Sequence, residues 1–439
     1  MTAREAALTA LERCRRDGAW SGSSIDGIIK KYSLDQREAS LAARLCLGVL
    51  QNSALCDFYI GAYYSGGPKR LEPKLHDIML LGVYQILFLD RIPARAAVNE
   101  SVALCKKCGL SRASGLCNAV LRRIAENKLA GSLPEVPGKG SAEYLSIKYS
   151  HPLWLAERII TERGYDFAEA FLACNNRPAP LTIQVNTLKV SAGDYCRALL
   201  RAGIGFTQNE YMPDCLTLEG GSVTELPGFA EGLFYVQDRA ARTAVEIAGP
   251  KPGMRVLDAC SAPGGKSFAV AIKMHGEGSI MACDIHEKKL RLVSDGAQRL
   301  GIDIIKTAAM DARRHDTALE GAFDIVIADV PCSGLGVIMK KPEIRGKTAE
   351  EIAALPEIQR DIMDNLADYV VPGGTLLYST CTVLRAENED NITYFLKKHA
   401  DFRLESIDTC GISAPDGMHC FWPNIDGTDG FFAAKLRKL

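Results

Sequence analysis

No stretch of this 439-residue sequence is long and apolar enough to cross a bilayer. The longest greasy run, IMLLGVYQILFL at 78–89, falls short of the roughly 20 residues a spanning helix needs, and it carries Gln85. The opening residues MTAREAALTALERCRRDG carry charges throughout and have no apolar core, so no secretory leader and no membrane partner are expected, and the cytoplasm is the expected location. In that compartment the fifteen cysteines read as reduced thiols rather than a disulfide framework. The lone CxxC at Cys105 and Cys108 has neither a second cysteine pair nor histidines at matching spacing, so packing is expected there and no metal. A strong net charge is missing too, the total being −1. Its distribution is uneven: residues 1–135 hold 19 Lys and Arg against 13 Asp and Glu, and the remainder 33 against 40. A basic front joined to an acidic rear is compatible with a polyanionic partner, though six surplus charges also suit ordinary solvation.

What is present points to three domains, as the length allows. Residues 1–135 read as an all-α domain. DQREASLAARLCLGVLQN begins with Asp35 and Glu38 in capping-box spacing, and PKLHDIMLLGVYQILFL, ARAAVNESVALCKKCG and NAVLRRIAENKL repeat apolar residues at helical intervals. The second of these three stops at Gly109. A Gly-, Pro- and Ser-rich break at LAGSLPEVPGKGSAEY follows. Residues 140–235 read as a small α+β domain, with strands at LTIQVNTLK and CLTLEG around the helix SAGDYCRALLRAGI. From 236 to 439 strands alternate with helices, the pattern of a parallel α/β sheet. Its strand candidates are RVLDAC, SIMACD, IIKTAAMD, DIVIADV and TLLYSTC.

The loop LDACSAPGGKS at 257–267 ends like a phosphate-binding P-loop but is not one. The pattern G-x-x-x-x-G-K-[ST] requires glycine where Cys260 stands, and Pro263 has no N–H to offer a phosphate. An ATPase therefore survives only as an alternative, resting on the Walker-B-like DIVIADVP that ends in Asp329. What remains is a strand, a glycine turn and a helix, the nucleotide entry of a Rossmann-like sheet. Asp284 ends the next strand at the distance where such folds place the acid that binds ribose hydroxyls, and Asp311 follows the third strand. Singly, each acid reads as a solvated loop residue; at successive strand ends they mark a ligand crevice.

The fourth and fifth strands run into DVPCSG and YSTCT, placing Cys332 beside Asp329 and Cys381 on the neighbouring strand. Most buried cysteines are inert packing. Two thiols at the ligand-facing ends of adjacent strands, one next to a carboxylate, suit methylation of a pyrimidine at C5. A thiolate added to C6 makes C5 a nucleophile toward an electrophilic methyl group, and an acid at N3 neutralises the developing charge. Spacing alone does not choose between the two cysteines.

CSAPGGK, DVPCSGLG and YSTCTV resemble the signatures of RNA cytosine-C5 methyltransferases that use S-adenosylmethionine, of the Sun/Fmu (RsmB) type. ARLCLGVLQN, LGVYQILFLDRIPARAAVNESV and CNAVLRRI resemble that family's NusB-like front domain, and FWPNIDGTDGFFAAKLRK its C-terminal end. The resemblance implies that the cofactor S-adenosylmethionine sits on Cys260, Ser261, Ala262, Pro263, Gly264, Gly265 and Lys266, with Asp284, Asp311 and Asp329. It implies Cys381 as nucleophile, Cys332 as the thiol assisting release, and Lys266 close to base and acid. The implied substrate is 16S ribosomal RNA, naked or partly assembled, at the cytosine-967 type of site, with another rRNA or tRNA cytosine as the alternative and a monomer as the acting form. The implied grip on phosphates comes from the middle unit and from Arg13, Arg15, Arg16, Arg122 and Arg123. A non-catalytic RNA-binding protein built on the front domain is the remaining alternative. Three positions depart from the family pattern: Ser261 replaces alanine, VQDRAAR replaces a segment with hydroxyls, and Asn424 stands where histidine is common.

Overall fold

The computed structural model describes residues 1–439 as two compact units. The first comprises Met1–Arg177 together with Ile338–Ala349, and the second Pro178–Val337 with Glu350–Leu439. The expected middle region is therefore divided: its helices Ala142–Tyr149, Leu153–Arg163 and Tyr165–Cys174 belong to the first unit, and its sheet to the second.

The front of the first unit is all helix. Its central helix, Pro73–Phe88, is the greasy run singled out above, and it is buried along nearly its whole length. Gln85 sits in that core because it is satisfied there, donating to Leu81 O at 2.8 Å and accepting from Arg4 Nε at 2.8 Å. Asp35 caps Gln36–Gln51 by accepting from Glu38 N–H at 2.9 Å, but Glu38 turns to Ala3 N–H instead of closing the box. Cys105 is fully buried in this core and Cys108 packs against it. No group of three or more His, Cys, Asp or Glu side chains could hold a metal ion, and no single helix is long and apolar enough to cross a membrane.

Residues 338–349 lie between two strands of the catalytic sheet in sequence, yet they fold with the first unit. Arg345 holds them there. Its guanidinium, 8% exposed, donates to Gln51 O at 2.8 Å, Asn175 O at 3.0 Å and Asn176 Oδ1 at 2.6 Å. Glu343 accepts from Ser21 N–H and Oγ–H, and Lys347 O accepts from Trp154 Nε1.

In the second unit, β1 (Leu181–Val185), β2 (Phe206–Gln208), β3 (Cys215–Leu218) and β4 (Phe234–Val236) form an antiparallel sheet in the order β2-β3-β1-β4. The helix Ala192–Arg201 covers it through Tyr195 and Leu199. The large sheet contains β5 (Arg255–Asp258), β6 (Ser279–Asp284), β7 (Ile305–Ala309), β8 (Phe323–Asp329), β9 (Val370–Thr380) and β10 (Phe402–Leu404). A ribbon of β11 (Ile407–Thr409) and β12 (Ile412–Ala414) follows, then β13 (Met418–Phe421) and β14 (Phe431–Lys438). The order is β10-β14-β9-β8-β5-β6-β7, with β13 also paired to β14. From β7 to β9 all pairings are parallel, as the alternating pattern foretold. The purely parallel expectation fails at the C-terminal end, where β14 inserts antiparallel beside β9. Strand order reverses between β5 and β8, so their loops open the crevice where such sheets bind ligands.

Removing Arg345 leaves three acceptors unpaired in a buried site, where hydrogen bonds to a charged donor contribute about 1.5–3 kcal/mol each. Because burying the guanidinium itself costs free energy, Arg345→Ala is expected to destabilise the first unit by about 3–5 kcal/mol, less than the sum of the three bonds. Calorimetry would register a lowered Tm for that unit, and trypsin would cut earlier near Lys340 and Lys347.

Candidate active site

The turn after β5 is shaped by its glycines. Gly264 has φ of 109°, which side chains rarely adopt, and a Cβ there would lie 2.5 Å from the Phe268 ring. Ser261 N–H donates to Cys283 O and Gly264 N–H to Ser261 O, both at 2.7 Å, folding the turn against β6. The helix Gly265–Lys273 starts directly after it. Ser261 Oγ, where the family pattern has alanine, is buried without a hydrogen-bond partner. Asp238 of VQDRAAR still caps its helix, accepting from Ala240 N–H at 2.9 Å and from Thr428 Oγ1 at 2.9 Å.

A cavity of about 320 Å³ opens beyond the carboxyl ends of these strands. Cys260, Ala262, Asp284, Asp311 and Asp329 line it, while Ser261, Pro263, Gly264 and Gly265 shape the turn rather than the wall. Ile285, Met310, Ile358 and Ile362 supply an apolar slot of the kind an adenine ring fills, with the strand-end carboxylates beside it. Asp284 Oδ1 accepts from His286 N–H at 2.8 Å, and its carboxylate forms part of the cavity wall. Asp311 is more engaged than expected, gripped by Arg313 Nε at 3.0 Å and Nη2 at 2.9 Å. The chemistry of this donor set fits S-adenosylmethionine.

At the cavity's edge Lys266 Nζ meets Asp329 Oδ2 at 2.6 Å, and Ser379 Oγ donates to Asp329 Oδ1 at 2.8 Å. Lys266 also lies over the Phe431 ring, 4.9 Å from its centroid. Cys332 and Cys381, both half-buried, face each other with their sulfurs 3.2 Å apart. The hydrogen bond to Cys381, followed by burial, pushes the Cys332 thiol well above its ordinary range. Burial, with Asp329 adding to it, also pushes up the Cys260 thiol, which lines the cavity as a neutral group.

Several members of the site were not singled out in the sequence. Ser379 and Phe431 lie inside the motifs YSTCTV and FWPNIDGTDGFFAAKLRK, where nothing in the spacing marks them. Asp258 was passed over as a strand residue, yet it is 1% exposed and takes the Ser267 hydroxyl at 2.6 Å. The alternation of the strands gave a signal for Asp258, an acid inside an otherwise apolar run.

A larger hollow of about 640 Å³ lies in the first unit, lined by Arg95, Asn99, Asn118 and Arg122 among others. It holds no thiol and is not the catalytic centre. Of the five arginines expected to meet phosphates, Arg15 pairs with Asp77 at 3.1 Å, Arg16 with Asp17 at 2.8 Å and Arg122 with Glu126 at 3.5 Å.

Sheet order, crevice and donor set define an S-adenosylmethionine-dependent methyltransferase with a Rossmann-like catalytic domain, and the ATPase alternative falls with that class. Residues 245–437 match the family described as 16S rRNA methyltransferase RsmB/F. Residues 1–126 match the NusB family, and 151–224 the ferredoxin-like domain of RsmF/B-like methyltransferases. The chain is 32% identical to the probable ribosomal RNA small subunit methyltransferase B of Bacillus subtilis, over 99% of this chain and 98% of that one. It is 34% identical to the probable enzyme of the same name from Synechocystis, over the full length of both. The crystal structure of PH0851 superposes with a TM-score of 0.84 at 28% identity, covering 99% of this chain and 98% of that chain. The chain belongs to the ribosomal RNA small subunit methyltransferase B family, whose members are RNA cytosine-C5 methyltransferases.

Burial pushes the Asp258 carboxyl up to about 6 from 3.8, with Asp329 reinforcing the shift and Ser267 and Lys266 opposing it. The folded state thus holds this proton more tightly than the unfolded chain. The stability this one group contributes is fully present below pH 3.8, is lost as pH rises through about 6, and stays lost beyond. The shift corresponds to about 3 kcal/mol at neutral pH. Asp258→Asn, which retains an acceptor for Ser267, is expected to raise Tm at pH 7.5, and the gain over the wild type should shrink at pH 4.5. An equal gain at both pH values would contradict this account.

Proposed function

We propose that this enzyme methylates C5 of a cytosine in 16S ribosomal RNA, at the cytosine-967 type of site, through a covalent bond between Cys381 and C6. The observation that carries the reading is the meeting of two sulfurs 3.2 Å apart with the Lys266–Asp329 pair at the edge of the donor cavity.

Cys381 adds as thiolate to C6 of the base. Negative charge that develops at N3 meets the Asp329–Lys266 pair, whose proton neutralises it. C5, now enamine-like, can form its bond to an electrophilic methyl group. The Cys260–Lys266 turn, with Asp284 and Asp311, would hold S-adenosylmethionine, which would supply that methyl group from its sulfonium and leave as the neutral thioether. Solvent then takes the C5 proton, the C6–S bond breaks with its electron pair returning to the Cys381 sulfur, N3 gives its proton back to the Asp329–Lys266 pair, and aromaticity returns. Cys332, a protonated thiol in contact with Cys381, is placed to serve this release.

A base within a helix cannot present C6 to a thiol, so the target is single-stranded or flipped out. Arg95 and Arg122 in the front-domain hollow, with Arg13 and Arg123, are the groups we assign to surrounding phosphates. The substrate is the rRNA, naked or partly assembled, and the chain acts as a monomer in the cytoplasm.

Labelled S-adenosylmethionine and a 16S rRNA transcript test the reading, with bisulfite sequencing to locate the product. Cys381→Ala should lower transfer at least 1,000-fold, a loss of about 4 kcal/mol of barrier lowering. Cys332→Ala should leave a protein–RNA adduct that survives a denaturing gel. Full turnover by Cys381→Ala would overturn the nucleophile assignment, and a product elsewhere in rRNA or in tRNA would overturn the substrate assignment.

A further inference from the structure

Behind the two thiols lies a buried polar cluster that the reaction above does not use. Asn388 is fully buried and stands at the N-cap of the helix Glu389–Lys398. Asparagine there ordinarily caps the helix with its side chain. This one makes no cap bond. Its Oδ1 instead accepts from Thr380 Oγ1 at 2.6 Å, and its Nδ2 donates to Thr382 O at 3.1 Å. Those are the two residues flanking Cys381.

Its neighbour Glu387, 1% exposed, does the matching thing for the other thiol. Glu387 Oε2 accepts from Ser333 N–H at 2.9 Å, directly after Cys332, and from Gln359 Nε2 at 2.8 Å. Gln359 Nε2 also reaches Pro331 O at 3.0 Å, directly before Cys332. The loops are then joined to each other, Ser333 Oγ to Thr382 Oγ1 at 2.7 Å.

We propose that Asn388 and Glu387 are positioning residues for methyl transfer: adjacent in the chain, they fix the backbone beside Cys381 and Cys332 respectively and so set the distance between the sulfurs. The proposal rests on the two-cysteine reading above. Neither residue reaches the base or the donor, and each acts through the loop it holds. The residues on both sides of Cys381 are held by Asn388 alone, through the Thr380 hydroxyl and the Thr382 carbonyl, and those on both sides of Cys332 by Glu387 together with Gln359, so neither thiol can drift without breaking a buried bond. Small misplacements of an attacking atom carry large rate penalties.

The test compares Asn388→Ala, Glu387→Ala and Glu387→Gln in the full chain. Gln at 387 keeps an oxygen for Ser333 N–H and Gln359, so it should rescue what Ala loses. One readout is steady-state methyl transfer. The Ala variants should lose at least tenfold in kcat with KM for S-adenosylmethionine within twofold of wild type, and Glu387→Gln should stay within threefold. The other is independent of activity: dibromobimane, in which each thiol displaces one bromide, bridges the two sulfurs only when they are close. Peptide mapping should find the Cys332–Cys381 bridge in wild type and Glu387→Gln, and at least fivefold less in the Ala variants. Wild-type bridging and kcat in Asn388→Ala would overturn the proposal, as would Glu387→Gln behaving like Glu387→Ala. If one Ala variant fails to fold, the remaining variants decide. A wild type that bridges but methylates no RNA would sink the proposed function and leave the positioning role to the bridging result.

Discussion

The site depends on the register between β8 and β9. Asp329 lies opposite Ser379 in that parallel pair, and the two are bonded through their side chains as well. Cys332 follows three residues beyond one partner and Cys381 two beyond the other, so the pairing delivers both sulfurs to one place. A slip of one residue would turn the alternating side chains to opposite faces and send Ser379 and Cys381 away from Asp329. Both strands are buried on both faces, with Val326, Ile327, Ala328, Leu376, Leu377 and Tyr378 almost wholly enclosed. With both faces apolar, burial alone does not choose the register; the polar pair Asp329–Ser379 at the strand ends does, because a slip would leave it unpaired.

The C-terminal strand completes the arrangement. β14 lies along β9 and brings Phe431 over Lys266. Just before it, Gly430 N–H donates to Gly336 O at 2.8 Å, and Gly336 N–H donates to Cys381 O at 3.0 Å. A Cβ on Gly336 would fall 1.8 Å from Gly430 O, so these two loops cross only because neither position carries a side chain there. The nucleophile's carbonyl, the loop after Cys332 and the entry to the last strand are thus tied in series.

The strand ends were readable because a buried parallel strand is an uninterrupted apolar run and an acid closing it stands out. Asp284 and Asp329 stand out in that way, while Asp311 follows the largely exposed edge strand β7 by two residues. β10 to β14 left no such trace: they are short or antiparallel, and DGFFAAKLRK has too little alternation to separate it from a helix end. The segment 338–349 was placed with the catalytic domain because it lies between two of that domain's strands. Its membership of the first unit is set by Arg345, whose partners Gln51 and Asn175 are far away in sequence. Glu387 and Asn388 lie in the polar stretch RAENEDN, where no apolar neighbour within three residues on the C-terminal side marks them for burial. Their burial follows from the Thr380 and Ser333 loops folding over them, a tertiary fact with no local pattern.

Sequence spacing could not decide between the two thiols, since each ends a strand of the same sheet. The environment makes them unequal. Cys332 sits against Cys381, is desolvated, and has the Glu387 carboxylate near it, and all three influences favour its protonated form. A thiol kept protonated is a poor nucleophile, and its S–H can donate, weakly, to an adjacent thiolate. Negative charge on the pair is therefore better accommodated on Cys381, which Cys332 can stabilise, than on Cys332 itself. The Glu387 carboxylate adds, after the Cys381 contact and burial, to what keeps Cys332 protonated, which is the role the proposed reaction asks of it.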